Sequence, residues 1–185
     1  MHTHDEYCNN VVARRVMYEF DMFAYLGKQL DLAHRKSTAD FVPGDITMMR
    51  TGDPANDLSR VTAALLESFL LHTRVLLEFF YKDRPRDGDV LASHFVEHWK
   101  VLRSPEPRYL LDHKHQLDKA LAHLTLARVD YDRQQKKWNV TAIQEEVNGL
   151  IALFKLKLTE ERRGWFAFRE DDPLPKADDA PELAD

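Results

Sequence analysis

The run LLESFLLHTRVLLEFFY, from Leu65 to Tyr81, constrains the fold more than any other part of this chain. At about 100° per residue on a helix, Leu65, Phe69, Leu76 and Phe79 form one stripe. Leu66, Leu70, Val75, Leu77 and Phe80 widen it on both sides, and only a narrow strip with Arg60, Glu67, Arg74 and Glu78 is fully charged. A helix apolar around more than half its circumference belongs at the centre of a bundle, covered by several neighbours. The same run is no membrane span. Glu67, His72, Arg74 and Glu78 interrupt it well short of the roughly 20 apolar residues that a span needs.

Other segments supply the covering helices. From Val11 to about Leu32, Val12, Val16, Phe20, Phe23, Leu26 and Leu30 recur at spacings of three and four, with Tyr18, Met22 and Tyr25 at the apolar edge. Gly27 lies inside this helix and costs about 1 kcal/mol relative to alanine. Residues 33–57 read as a long loop, punctuated by Pro43-Gly44, Gly52 and Asp53-Pro54 and pinned by apolar members such as Phe41 and Ile46. Asn56 or Asp57 caps the central helix. After Tyr81, KDRPRDGD ends that helix, and Asp87 or Asp89 caps a short one over roughly Val90 to Leu102. Arg108 to about Val129 follows, with Leu110, Leu117, Leu121 and Leu124 on its stripe. Thr141 and Gln144 read as a capping box before a last helix that runs through about Arg163. There is no internal repeat, no βαβ alternation and no convincing strand. The expected fold is all-α, a single-domain bundle of four main helices plus one short helix.

Composition refines the boundaries. Residues 1–10 read as a flexible leader, 11–169 as the bundle and 170–185 as a disordered acidic tail with too little apolar surface to offset ordering. The tail holds seven of the 31 acidic groups and one of the 26 basic ones, which leaves 24 acids against 25 bases in the body. Net charge therefore neither suggests nor forbids a nucleic-acid partner. The single cysteine, Cys8, excludes an internal disulfide and a cysteine-based zinc site within one chain. The amino end lacks an apolar signal region, and a cytoplasmic location is expected.

Several side chains are candidates for chemistry. His72 lies on the apolar stripe of the central helix, where an imidazole is either a core residue satisfied by one hydrogen bond or part of a polar pocket. Glu67, Arg74 and Glu78 put alternating charge on the opposite strip, in position to meet partners on neighbouring helices. Lys119 and His123 stand one turn apart, a pairing suited to phosphate binding or, with the imidazole as base, to RNA cleavage. Arg128 falls in line with Leu117 and Leu121 and must find a partner or reach solvent. Nine histidines also raise the question of metal. His94 and His98 have the spacing that places two imidazoles on one helix face, but neither a His-Glu-x-x-His nor a Glu-x-x-His pattern is present. No metal site and no cofactor are expected. Glycine-rich phosphate loops and serine elbows are absent.

Two segments together, ESFLLHTRVLLEFF at 67–80 and DKALAHLTLAR at 118–128, resemble uncharacterised bacterial proteins with HEPN-like helical bundles. That resemblance implies a four- or five-helix bundle. It also implies a superfamily holding both RNA-cleaving toxins or defence nucleases and non-catalytic dimerisation or nucleotide-binding partners. Active members carry an arginine separated from the catalytic histidine by four to six intervening residues. Here those positions are Asp118, Leu117 and Gln116, so the histidine carries over to His123 while the arginine does not. Lys119 is the nearest cation, and lysine does not replace arginine in bidentate phosphate contacts.

The function expected from these readings is a non-catalytic or weakly catalytic HEPN-like bundle that acts through a partner, in a toxin–antitoxin or defence context. A homodimer is the expected assembly, with a second protein or RNA as further partners and no membrane. The alternative is an RNA-cleaving, toxin-like enzyme using His123 with Arg74 or Arg128. A second alternative is a metal-binding bundle around His72, His94 and His98. In the binding readings His72, Glu67 and Lys119 hold the partner.

Overall fold

The computed structural model describes residues 9–37, 45–47, 57–103, 105, 107–113, 117 and 137–167, and the chain is predominantly helical. In order, its elements are α1 (Asn10–Ser37), β1 (Asp45–Thr47), α2 (Asp57–Tyr81), α3 (Ala92–Phe95), α4 (Trp99–Leu102), β2 (Lys137–Asn139), α5 (Val140–Lys157) and α6 (Glu160–Trp165). Residues 108–113 are helical as well. The all-α bundle expected from the central run is the fold that forms.

α2 carries that run, and its inner face is closed to water. Leu66, Phe69 and Leu70 are fully buried, and Leu76, Leu77, Phe79 and Phe80 are nearly so. α1 is its main neighbour. Phe23 stacks on Phe69 with ring centroids 4.9 Å apart, while Tyr18 meets His72, so the two helices run antiparallel. α5 supplies the third side. Phe154 lies among Phe79 at 5.3 Å, Phe166 at 5.2 Å, Trp99 at 5.8 Å and Phe20 at 6.0 Å, mostly edge to face. That arrangement aims positive ring edges at negative ring faces. α1 and α5 approach closely at Gly27, where an added Cβ would run into the Gln144 side chain. The glycine in the first helix therefore serves contact between helices, not a bend.

Several expectations of the sequence need correction. α1 extends to Ser37, five residues past the expected end at Leu32, because the first strong breaker is Pro43. The loop over 33–57 contains β1, which pairs antiparallel with β2 through Asp45↔Asn139, Ile46↔Trp138 and Thr47↔Lys137. A three-residue strand gives too few alternations to be seen as a pattern. The helix expected over Val90 to Leu102 is two single turns, parted at His98, whose φ of 55° is left-handed. The break lets Phe95 face Phe166 and Trp99 reach back to α2, where its indole Nε1 donates to the Phe80 carbonyl at 2.9 Å. Arg103 Nη1 donates to the same carbonyl at 2.7 Å, so α3–α4 closes the end of α2, where helix carbonyls lack partners within the helix.

The fourth correction concerns the last helix, which stops at Lys157. The side chain of Thr159 accepts from Arg162 N and starts α6, which returns Phe166 to the aromatic core. At the other end, α5 is capped by the Asn139 side chain accepting from Ala142 N at 2.9 Å, not by a box of Thr141 and Gln144. Asn9, assigned to the leader, caps α1 in the same way by accepting from Val12 N. Asp89 caps no helix; it accepts from Arg86 N and closes the turn before α3. The rest of the leader, most of the 33–57 loop and the acidic tail lie outside the described residues.

Candidate binding cleft

Antiparallel packing of α1 on α2 leaves a cleft between the first half of α1, the second half of α2 and the turn at residues 88–91. Its volume is about 420 Å³, within the range that small-molecule sites occupy. Val12, Val16, Leu71, Val75, Leu76 and Phe79 supply the apolar lining, and Val90 and Leu91 wall the third side. Val75 was expected to widen the buried stripe. It is instead 39% exposed, because among the described residues no helix covers α2 on this side.

Charged groups ring the apolar lining. On α2, Arg74 Nε lies 3.3 Å from Glu78 Oε1, and Lys82 Nζ lies 3.3 Å from Glu78 Oε2 and 2.8 Å from Asp89 Oδ2. The spacing of four puts Arg74, Glu78 and Lys82 on one face, so the ladder follows from the sequence. The hydrogen bond between them holds the Asp89 carboxyl below its ordinary range and the Lys82 ammonium above its own. On α1, Glu19 accepts a 2.6 Å hydrogen bond from His72 Nδ1, which fixes the proton on that nitrogen. Tyr18 lies edge-on to the imidazole, with centroids 6.1 Å apart. His72 is 9% exposed, so this contact ties the two helices together behind the cleft wall.

The structure sorts the sequence candidates. Arg74 is in the cleft wall, while Glu67, on the same charged strip, is exposed and does not line it. His72 is satisfied by Glu19, as a core imidazole requires, and its ring is not part of the lining. Lys119, His123 and Arg128 lie outside the described residues. His94 Nδ1 accepts from Leu91 N at 3.1 Å, and the left-handed turn at His98 removes the shared helix face expected of these two imidazoles. Among the described residues, no group of three or more His, Cys, Asp or Glu side chains is placed to hold a metal ion, and no helix is long and apolar enough to cross a membrane.

Sequence reasoning missed Glu19, Arg15, Lys82 and Asp89. Glu19 had a signal: it is a carboxylate beside Val16, Phe20 and Phe23, close to the apolar stripe of α1. An acid so placed needs a donor from a neighbouring helix. Lys82 had the spacing of four from Glu78, but its contact with Asp89 gave no signal, since that depends on how the turn after α2 folds back. No family model matches this chain, and neither a curated protein nor a solved structure is similar to it.

Proposed function

We propose that the chain is a non-catalytic binding module, a helical bundle that acts through a partner or ligand received at the α1–α2 cleft. The observation that carries this reading is the cleft itself: about 420 Å³, lined by aliphatic side chains and bordered by charges mostly held in ion pairs. Groups committed to structural pairs orient a ligand more readily than they exchange protons with it. The HEPN-like reading and a homodimer belong to the same proposal. The dimer draws support from Tyr18, Tyr25 and Leu32, spaced by seven along α1 and between 41% and 56% exposed. A residue every seven positions recurs on one side of a helix.

Nile red, an uncharged apolar dye, tests the cleft. Saturable one-to-one binding to the full chain is expected, and Val75→Trp should remove it without lowering the thermal midpoint by more than a few degrees. Leu71→Trp, at a position 49% exposed, is the second cleft-filling variant. Dye binding that both variants leave intact would refute the assignment. Light scattering on the eluting protein tests the dimer. Incubation with total RNA beside a His123→Ala control tests the RNA-cleaving alternative; intact RNA is the outcome that this proposal requires.

A further inference from the structure

We infer that the cleft selects a small amphiphile, a molecule with an aliphatic body and one anionic head group, carboxylate or phosphate, whose head is held by Arg15. This rests on the cleft being a binding site and adds the class of ligand. The two walls differ in electrostatic state. On the α2 wall two cations, Arg74 and Lys82, are balanced by Glu78 and Asp89 at 2.8–3.3 Å. On the α1 wall the Glu19 carboxylate is engaged by His72 at 2.6 Å. Arg15, one turn before Glu19 and part of the same lining, is exposed and makes no ion pair among the described residues.

An anion entering the cleft therefore meets a guanidinium that, among the described residues, is in no ion pair with a carboxylate. Its planar fork matches either a carboxylate or a phosphate. Glu19, Glu78 and Asp89 are already hydrogen-bonded, so they do not compete with the ligand for donors. The body of the ligand must be apolar, because Val12, Leu71, Val75 and Phe79 offer it no hydrogen bond. Extended chain partners fit less well. The turn carrying Val90 and Leu91 lines the cleft beside the two helices, and a volume of about 420 Å³ suits a small molecule better than a length of chain.

Calorimetric titration of the full chain with octanoate, decanoate, octyl phosphate, octan-1-ol and inorganic phosphate tests the inference. At least one anionic octyl compound should bind one to one, about five- to tenfold more tightly than octan-1-ol, as a single charge-assisted contact allows. The carboxylate and phosphate arms decide which head group is taken. Each added CH₂ should tighten binding about fourfold, so decanoate should exceed octanoate by more than tenfold. Arg15→Gln should erase the advantage of the anion over the alcohol and leave Nile red binding intact. Equal affinity for octanoate, octyl phosphate and octan-1-ol in the unaltered chain overturns the inference while leaving the cleft a binding site. Saturable inorganic phosphate with no dependence on chain length overturns it too. Loss of Nile red binding together with every octyl compound would defeat both readings.

Discussion

The two sides of α2 present opposite solutions to the same geometry. Toward α5, Phe79 and Phe80 enter a cluster with Phe20, Phe95, Trp99 and Phe154, and its stability comes from burial and ring packing. Toward the cleft, successive turns of the same helix present Arg74 and Glu78, with Lys82 just past its end, held by one another and by Asp89. His72 is intermediate, a polar side chain inside the apolar boundary with its one partner supplied by α1. The contrast separates effects by size. Removing a buried ring deletes transfer energy and leaves a cavity. Removing a half-exposed charge mostly exchanges a protein partner for water.

The largest effect is expected in the aromatic core. Phe69→Ala and Phe154→Ala should each cost about 3–5 kcal/mol, since both side chains are fully buried and closely packed. Urea midpoints with an unchanged slope would show it. A loss under about 1 kcal/mol at either position would erase the distinction between the two sides of the helix.

The Glu19–His72 pair comes next and sharpens the boundary between core and cleft. His72→Gln and Glu19→Gln should each cost about 1–3 kcal/mol, because each leaves a largely buried partner with an imperfect hydrogen bond. The two losses should not add. A double-mutant cycle should return a coupling of about 0.5–3 kcal/mol. Additive losses would mean that the 2.6 Å contact contributes nothing to holding α1 on α2.

These two sets of residues were unequally legible in the sequence. Phe69, Leu76, Phe79 and Phe80 announce themselves because a period of 3.6 over 25 residues is a signal that chance seldom produces. His72 was visible as an anomaly on that stripe, but its partner was not, since pairing between helices depends on their register. Where a single turn decides the path, as at His98 or Thr159, sequence reading extended the helix through the break. Trp99 and Phe166 force those breaks by folding back onto the core, and no local propensity encodes that. The cleft was less legible still. It arises where two helices part and a turn closes the gap, and its lining residues do not form one pattern on any single segment.

Arg74→Ala tests how much the charged side of α2 contributes. Had this strip been buried, the loss would reach about 3–5 kcal/mol; with side chains 33% and 48% exposed at Arg74 and Glu78, less than about 1 kcal/mol is expected. Raising the salt concentration should shrink it further, because solvent-exposed pairs are screened. A loss comparable to that of Phe69→Ala would mean that the strip is covered in solution, most simply by a partner across the cleft.

The smallest effect is the acid dependence of the turn that closes the cleft. Asp89 is bonded to Lys82 Nζ at 2.8 Å and to Arg86 N at 2.6 Å, and these bonds hold its carboxyl below the ordinary range in the folded chain. A carboxyl depressed by folding binds its proton more readily when unfolded. Its stabilising contribution is therefore fully present above the unfolded value, near pH 4, and is lost as the pH falls through the lower folded value. The partner acts in the opposite direction: Lys82 is raised by the same contact, so its contribution persists through neutral pH and fades only in strong alkali. Asp89→Asn should thus lower stability slightly at pH 7 and flatten the acid limb of the stability profile over the interval below about pH 4. Thermal midpoints measured across that interval separate this local closure from general acid unfolding, to which every carboxylate contributes. If the two profiles stay parallel through that acid limb, Asp89 does not hold the turn against Lys82, and the third wall of the cleft rests on Val90 and Leu91 alone.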